Sequence, residues 1–359
     1  MKFPYYVNLI PTHPKEGMPS MLKYWMMLDN VSKNDSSIFY KSCYKLPTEN
    51  MPRCSRAELF ILKYIQAPIL VKNTNHSNII HILAQSSAYL IPHIPKGKKT
   101  IVTLHDLIPL RDSSELSKSQ LERFKRCVSN LHLADHIACD SEYSRKEANE
   151  LIGISLDKMT VIPLGAVCDR NLIEPKDRTS SSSIRILSVG TDIPRKNLKI
   201  IPHIIEYILM SGYEVELWRV GALLREETRS KLSQFDPKRF RFREFGLITE
   251  SQLSDCYKNV DCTIVPSLLE GFGLPVLESM ANNCPVVSSN ATSLPEVGGN
   301  AALYFNPNDA EVAAKHILHL KNDQSLRNEL ISRGRDQVAI FSWENHLMGL
   351  KKIYELLSN

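Results

Sequence analysis

The feature that most constrains the fold is a repeated alternation of short apolar runs with amphipathic segments along the 359 residues. Runs that are apolar throughout are typical of parallel strands covered by helices on both faces of the sheet. The alternation predicts an α/β protein with doubly wound parallel sheets. The expected strands are 5–10, 79–83, 100–106, 136–141, 159–164, 184–190, 214–221, 239–246, 261–267 and 284–289, and the expected helices are 119–133, 142–152, 197–211, 309–321, 323–338 and 343–357.

A polar, serine-rich stretch, "CDRNLIEPKDRTSSSS" (168–183), separates two such series and has the composition of a linker. The chain is also too long for one ordinary core. We therefore expect a first domain over 1–167, a second domain over 184–340, and a C-terminal helix over 341–359 that packs back on the first domain. In open parallel sheets the ligand binds beyond the carboxyl ends of the strands, so the loops that follow strands are the candidate sites.

The net charge of +5 is mild, which argues against a nucleic-acid partner. The charge is uneven, however: residues 1–165 carry 21 Lys and Arg against 15 Asp and Glu, whereas residues 185–340 carry 18 against 19. The basic half is suited to an anionic acceptor or a membrane surface, and "IPKGKK" (94–99) with Arg123, Lys125 and Arg126 is the candidate patch. Ordinary solvated lysines are the alternative interpretation.

The eight cysteines have neither CxxC spacing nor a pairing with histidines that would indicate zinc, which favours a reducing compartment. The first residues lack an apolar segment of signal-peptide length, and no run of about 18 apolar residues occurs. These patterns predict a cytoplasmic protein with at most peripheral contact at the inner face of a membrane.

A glycine-rich loop, "PSLLEGFGLPVLE" (266–278), follows one of the expected strands. Its glycines let the backbone approach a ligand, and the free N–H groups of a helix that begins near Pro275 could hold a diphosphate. We expect Glu278 in the first turn of that helix, within reach of a ribose hydroxyl, and Glu270 on the loop. Carboxylates accept hydrogen bonds from vicinal hydroxyls, although a glutamate near a helix start is also simply favoured by the helix dipole.

Two further loops follow expected strands. In "VGTDIPRKN" (189–197), Arg195 and Lys196 approach the start of a helix, an unfavourable place for cations unless an anion binds there. A solvated pair of charges is the alternative. In "TLHDLIPL" (103–110), His105 and Asp106 close a buried strand, where His105 could bond a substrate hydroxyl or handle a proton. A lone histidine in such a place is more often structural.

Taken together, these segments resemble the retaining glycosyltransferases of the GT-B fold, and specifically glycosyltransferase family 4, the group 1 family. The resemblance covers nearly the whole chain. The glutamate pair with seven residues between its members is its most specific feature. The segments that carry it, in the family's order, are "VTLHDLIPL", "SEYSRKEA", "TVIPLGA", "ILSVGTDIPRKN", "VPSLLEGFGLPVLESMA" and "LPEVGGNAALYFNPND".

The resemblance implies two Rossmann-like domains facing a central cleft, with a nucleotide-diphosphate sugar bound mainly by the second. Glu278 would hold the ribose, Glu270 the hydroxyls of the donor sugar, and Lys196 the leaving diphosphate. His105 would lie near the reacting centre, so the catalytic candidates are His105, Lys196 and Glu270. The other donor-binding candidates are Gly17, Gly190, Thr191, Arg195, Gly271, Phe272, Gly273 and Leu274, and the acceptor-side candidates are Asp106 and Ser141.

Two departures from the family pattern concern the donor site. The common pattern places an arginine directly after the glycine of the "VG" loop, where this chain has Thr191, and Arg195 is the candidate for supplying that charge. The N-terminal glycine-rich loop is reduced to "KEGMPS" (15–20), with Gly17 as its single glycine.

The expected chemistry follows from the leaving group. Departure of the nucleoside diphosphate leaves positive charge on the sugar and adds negative charge to the diphosphate, and a well-placed donor typically stabilises such a change by about 3–4 kcal/mol. The resemblance implies retention through a front-face, ion-pair-like step without an enzymic nucleophile, so Glu270 would bind sugar. Double displacement with two carboxylates is the alternative. No two aspartates are separated by one residue, so the Asp-x-Asp pair that resembles the metal site of the other major glycosyltransferase fold is absent, and we expect activity without a divalent metal. We also expect no cofactor beyond the donor substrate.

Three possibilities for function stay open. The first is transfer of a hexose from GDP-mannose or a UDP-sugar to a saccharide or lipid-linked acceptor, in envelope polysaccharide or glycoconjugate synthesis; the spellings "HDLIPL" and "PRKN" resemble mannosyltransferases that use GDP-mannose. The others are a nucleotide-sugar epimerase of similar architecture and a non-catalytic scaffold that kept the fold. The intact set of His105, Lys196, Glu270 and Glu278 favours transfer.

Overall fold

The structure is a computed structural model that describes residues 4–13, 19–45, 55–74, 77–166 and 182–358. The chain divides into two compact units, the first formed by residues 1–164 with 343–359 and the second by 165–342. Most of the expected linker, residues 168–181, lies outside the described residues. Each unit is built on one six-stranded parallel sheet, so the predicted α/β class with doubly wound sheets is confirmed.

The sheet of the first unit has the strand order β2-β1-β3-β4-β5-β6, and all of its pairings are parallel. Each of the five predicted strands of this half is present, whereas β2, at the edge of the sheet, was not predicted. The strands are β1 (Tyr5–Ile10), β2 (Ile38–Ser42), β3 (Ile79–Ile82), β4 (Lys99–Leu104), β5 (His136–Cys139) and β6 (Met159–Val161).

Three helices of the first unit start at serine N-caps, Ser55, Ser117 and Ser141. The Ser141 hydroxyl accepts a hydrogen bond from the Ser144 N–H, as expected of an N-cap, and Gly153 ends the same helix in the left-handed conformation. A π-helical turn, Leu62–Gln66, joins two short helices. The helices are α1 (Pro19–Ser32), α2 (Arg56–Ile61), α3 (Ala67–Lys72), α4 (Ile108–Arg111), α5 (Lys118–Val128) and α6 (Glu142–Ile152).

The sheet of the second unit has the order β12-β11-β10-β7-β8-β9 and is also parallel. This is the strand order of a dinucleotide-binding Rossmann sheet. Strands β8 and β9 are added on one side of β7 and β10 to β12 on the other, so the strand order reverses between β7 and β10. The strands are β7 (Ser183–Val189), β8 (Glu214–Val220), β9 (Phe240–Gly246), β10 (Cys262–Val265), β11 (Val286–Ser289) and β12 (Ala302–Phe305), of which only β12 was not predicted.

The helices of the second unit pack on a core of aliphatic side chains from both faces of the sheet. The helix predicted over 197–211 is shorter than expected: it begins at Ile201, because Asn197 is left-handed and two 3₁₀ turns, Pro194–Lys196 and Leu198–Ile200, precede it. The helices are α7 (Ile201–Met210), α8 (Glu226–Leu232), α9 (Glu250–Lys258), α10 (Leu274–Ala281), α11 (Leu294–Gly298), α12 (Ala310–Asn322) and α13 (Gln324–Ile340).

The C-terminal helix α14 (Trp343–Ser358) belongs to the first unit, where it contacts α1 and β3. Buried polar side chains fix it there. The Tyr354 hydroxyl lies 2.7 Å from Nδ1 of His81, and Nε2 of His346 lies 3.1 Å from the Tyr24 hydroxyl. Across the ranges that the structure describes, every helix is too short or too polar to span a bilayer.

Candidate active site

Two loops of the second unit meet where the strand order reverses. The loop after β7 carries Arg195 and Lys196, and the loop after β10 carries Glu270. The Lys196 ammonium donates to Oε1 of Glu270 at 2.5 Å, and Nη1 of Arg195 lies 3.4 Å from Oε2 of the same carboxylate. The position is the one at which open α/β sheets bind their ligands. Three residues singled out from the sequence are thus brought together.

The Glu270 carboxylate is almost enclosed, with 6% of the residue exposed. The Ser267 hydroxyl donates to Oε1 at 2.8 Å. Burial by itself raises the pKa of Glu270, but the charges of Lys196 and Arg195, together with the hydrogen bonds from Lys196 and Ser267, outweigh burial and hold this pKa below its usual value. Glu270 is therefore an ionised acceptor, and the two cations beside it leave the cluster with a net positive charge that suits an anionic ligand.

Backbone contacts hold the two loops together independently of the ion pair. The Leu268 N–H donates to the Arg195 carbonyl at 2.7 Å. The side-chain amide of Asn197 donates to the Pro266 and Pro307 carbonyls at 3.2 and 2.7 Å, and the Asn197 backbone has a positive φ of 54°. Asparagine tolerates this left-handed conformation better than most residues. Arg195 and Lys196 consequently sit on a fixed 3₁₀ turn, and the α-helix that they were predicted to approach begins later than expected, at Ile201.

The glycines of the second loop allow its tight turn into α10. Gly273 caps the helix with a φ of 109°, and an added Cβ there would come within 2.7 Å of the Leu294 side chain. Gly271 and Phe272 are buried, and the Phe272 ring packs against Phe341 with centroids 5.8 Å apart. Leu274 is the first residue of α10 and Pro275 the second, one position later than expected.

Glu278 lies in the second turn of α10, as its fifth residue, and not in the first turn as predicted, because the helix starts at Leu274, one residue earlier than expected. The side chain is half-buried. The hydroxyl of Tyr257, a buried residue of α9, donates to Oε2 of Glu278 at 3.2 Å. Burial and then the charge of Glu278 raise the pKa of Tyr257, so its hydroxyl stays protonated and remains a donor.

The turn after β7 rests on a buried arginine that the sequence reasoning missed. Arg219 is 1% exposed and donates from Nη2 to the Gly190 carbonyl at 2.5 Å and from Nη1 to the Ser188 carbonyl at 3.0 Å. Burial lowers its pKa to about 10. Gly190 has a φ of 123° and Thr191 is exposed. Arg219 is a charged residue near the end of a mainly apolar strand, "VELWRVG", and that position is the signal that could have identified it.

A third loop, after β11, is hydrogen-bonded to the main chain of Glu270. The Glu270 N–H donates to Oγ1 of Thr292 at 3.0 Å. The fully buried Ser293 hydroxyl lies 3.0 Å from the Glu270 carbonyl and 2.8 Å from the Phe272 carbonyl. Sequence reasoning missed both residues. Their position directly before the "LPEVGG" segment, after a buried strand, was the available signal.

In the first unit, His105 follows β4 and is buried with both ring nitrogens bonded. Nδ1 lies 2.6 Å from Oδ2 of Asp140, and Nε2 lies 2.9 Å from the Leu83 carbonyl. Burial by itself lowers the pKa of His105, but the Asp140 carboxylate and the Leu83 carbonyl outweigh it and raise the pKa above its ordinary value. Because both partners are acceptors, they favour the form of His105 that is protonated on both ring nitrogens. Asp140, which the sequence reasoning missed, supplies its counter-charge.

The remaining first-unit candidates have local partners. Oδ1 of Asp106 accepts a hydrogen bond from the Ile108 N–H at 3.1 Å, and the side chain is half-buried. Ser141 is fully buried as the N-cap of α6. An acceptor contact of Asp106 or Ser141 stays a prediction. Gly17 lies outside the described residues.

Two family models match the chain. The model described as "Glycosyl transferases group 1" matches residues 169–337, which include the loops that carry Lys196, Glu270 and Glu278. The model described as "Glycosyltransferase Family 4" matches residues 33–170, which include His105.

Known proteins resemble the chain in sequence and in structure. O-antigen chain mannosyltransferase B of Escherichia coli is 28% identical over 292 residues, which cover 75% of this chain and 73% of that protein. The serotype-specific mannosyltransferase WbdA of Escherichia coli is 29% identical over 69% of this chain, which spans about a third (32%) of that longer protein. Among solved structures, sucrose-phosphate synthase from Thermosynechococcus elongatus has a TM-score of 0.72 at 18% identity, covering 98% of this chain and 99% of the other, a likeness of fold.

Proposed function

We propose that this chain, which belongs to glycosyltransferase family 4 of the group 1 glycosyl transferases and has the GT-B fold, moves a hexose from a nucleotide-diphosphate sugar to a hydroxyl of a saccharide or glycolipid acceptor. One observation carries the proposal: Lys196 and Glu270 meet at the carboxyl edge of a Rossmann sheet, at its switch point. That edge offers cations and helix-start N–H groups to a diphosphate and a buried carboxylate to sugar hydroxyls.

GDP-mannose is the proposed donor, and a UDP-sugar is the alternative. Two relatives similar to this chain are named as mannosyltransferases, one of O-antigen chains and one serotype-specific. These names support mannose as the sugar and an envelope polysaccharide as the product. They say nothing of the nucleotide base, for which the "PRKN" spelling is the support.

Each residue has one proposed task. Lys196 and Arg195 exchange part of their contact with Glu270 for the diphosphate and stabilise its growing charge as the glycosidic bond breaks. Glu270, freed on one side, accepts hydrogen bonds from sugar hydroxyls, and Glu278 accepts one from the ribose. Both ring nitrogens of His105 are bonded at the end of β4, to Asp140 and to the Leu83 carbonyl. The ring has no nitrogen available to accept a proton, so in this proposal a phosphate oxygen of the leaving group assists deprotonation of the acceptor, with retention and without a metal.

The test compares three alanine variants. Glu270→Ala and Lys196→Ala each remove a partner of the buried ion pair and should lower turnover of the donor by about 100-fold or more. Lys199→Ala is the matched control, because Lys199 is exposed on the next 3₁₀ turn. Near-normal turnover of both site variants, with circular dichroism unchanged, would place the reaction elsewhere.

Peripheral membrane contact is also proposed, for the first unit. Two of the cations expected to form a patch are paired with carboxylates: Lys99 with Asp135, and Lys125 with Glu122. A better surface is the helical segment 56–72. It exposes an isoleucine every fourth residue, Ile61, Ile65 and Ile69, at 44, 49 and 54%, and it carries the cation Lys72 at its exposed C-terminal end. Co-sedimentation with anionic vesicles should fall for Ile65→Ser, and equal co-sedimentation would refute this surface.

A further inference from the structure

A backbone outlier is hydrogen-bonded to the main chain of Glu270, the proposed sugar-binding residue. Thr292 has a φ of 54°, and it is a β-branched residue, for which this left-handed conformation is a genuine outlier. The other described non-glycine residues with positive φ are two asparagines, Asn197 and Asn283, which tolerate it. Strain of this kind persists where the surroundings over-determine it, and it concentrates at functional sites.

The strained residue makes a specific contact. Its Oγ1 accepts the hydrogen bond of the Glu270 N–H at 3.0 Å. The neighbouring Ser293, fully buried, reaches the Glu270 and Phe272 carbonyls from the other side. The backbone of Glu270 is thus held on its N–H and on its C=O, while Lys196 and Ser267 hold its carboxylate. A right-handed residue 292 would direct its side chain elsewhere, so the strain and the contact belong together.

We propose that Thr292 is a positioning residue for the reaction: its hydroxyl, presented by a strained backbone, fixes Glu270 where the carboxylate meets the donor sugar. The proposal rests on the proposed function, because it needs Glu270 to contact the sugar. If Thr292 positions Glu270, a substitution can change the reaction rate without changing stability, whereas substitution of a merely structural residue would change both together. Relief of the strain should spare stability while it lowers the rate, since small displacements of a catalytic site reduce turnover steeply.

Three substitutions of Thr292 separate the contribution of its hydroxyl from that of its branched shape and its backbone strain. Thr292→Ser keeps the hydroxyl, Thr292→Val keeps the branched shape without the hydroxyl, and Thr292→Gly removes both the hydroxyl and the strain. We expect kcat with GDP-mannose within about 3-fold of the parent for the serine variant and at least ~10-fold lower for the other two. The melting temperature should fall for valine but not for glycine, whose backbone accepts a positive φ. The dissociation constant for GDP, which lacks the sugar, should stay unchanged in all three.

Parent kcat in the glycine variant would overturn the inference, and so would losses of kcat that simply follow the melting temperature across the three variants. A second measurement needs no turnover: amide hydrogen exchange of segment 267–273 should be faster in the valine and glycine variants and unchanged in the serine variant. Equal exchange in all three would also overturn it. A parent chain inactive on every nucleotide sugar would instead refute the proposed function, while the exchange experiment would still decide whether Thr292 holds Glu270.

Discussion

At the scale of single residues, the two glutamates of the glycine-rich loop have different partners. Glu270 is bonded by the cation Lys196, for which a diphosphate can compete. Glu278 is bonded by the neutral hydroxyl of Tyr257. The partners match the proposed tasks, because the first carboxylate has to exchange contacts when the donor binds and the second has only to keep its orientation.

The Tyr257 hydroxyl should matter for nucleotide affinity. Tyr257→Phe removes one hydrogen-bond donor to Oε2 of Glu278 and so weakens the orientation of that carboxylate; we expect the dissociation constant for GDP to rise about 10-fold, equivalent to about 1.4 kcal/mol. Isothermal titration calorimetry measures it. Tyr207→Phe, an exposed tyrosine of the same unit, is the control. Equal affinity in the two variants would show that Glu278 needs no partner in order to bind, or does not bind the ribose.

The sequence predicted the loops at this scale better than it predicted their contacts. Strand ends are readable from apolar runs, so the sequence places Lys196 and Glu270 each on a loop that follows a strand. Their direct pairing, and the supports from Arg219 and Thr292, depend on which side chains of distant loops come within about 3 Å, and no local pattern encodes that distance. The shifted start of α10, which moved Glu278 to the second turn, comes from the left-handed Gly273.

At the scale of elements, the unpredicted strands β2 and β12 lie at sheet edges. Strand β2 mixes buried, half-buried and exposed residues over five positions, and β12 is an apolar run of four residues, two of them half-buried, which is too short to distinguish a strand from a helix by its pattern. The interior strands β3, β5, β10 and β11 are buried at every position, and for that reason they were readable.

Helix α14 should depend on its buried polar contacts. Tyr354→Phe removes the hydroxyl that lies 2.7 Å from His81 and 3.1 Å from the Tyr40 hydroxyl, leaving buried groups without that partner. We expect a loss of about 1–3 kcal/mol in the free energy of unfolding, measured by urea denaturation. Leu356→Ala, at an exposed position of the same helix, should change it by less than about 0.5 kcal/mol. Equal effects would mean that α14 is held by apolar packing alone.

The same contacts should make the first unit sensitive to acid. Burial, followed by the charges of His346 and His105, lowers the pKa of His81 to about 3. Because this pKa is depressed, the neutral ring contributes stability that is fully present above about pH 6.5 and is lost as the pH falls towards 3.

The His81 contribution to the free energy of unfolding should therefore decline by about 1.4 kcal/mol per pH unit below pH 6.5. His81→Asn, unfolded in urea at pH 7, 6, 5 and 4, should show a shallower pH dependence than the parent. His132→Asn, at an exposed position, should keep the parent's dependence. Parallel curves for His81→Asn and the parent would contradict the prediction.

At the scale of the whole molecule, both units have the same kind of sheet, a parallel one in which the strand order reverses once. A parallel sheet with a reversal of strand order leaves a gap between the loops beyond it, between β1 and β3 in the first unit and between β7 and β10 in the second. The alternation in the sequence predicted two such sheets. It could not give their strand order, because register and order depend on contacts between segments as distant as β7 and β10.

The central claim is that the second unit binds a nucleotide sugar and releases its nucleoside diphosphate. The most direct test incubates the purified chain with GDP-, UDP- and ADP-sugars, with excess chelator and without acceptor, and measures released nucleoside diphosphate. The account predicts slow release from one donor, unaffected by chelator, lost in Lys196→Ala and Glu270→Ala, with the freed sugar unchanged in configuration. A sugar of altered configuration would indicate an epimerase. No release from any donor, with no thermal stabilisation by any nucleotide, would contradict the account and favour a non-catalytic scaffold.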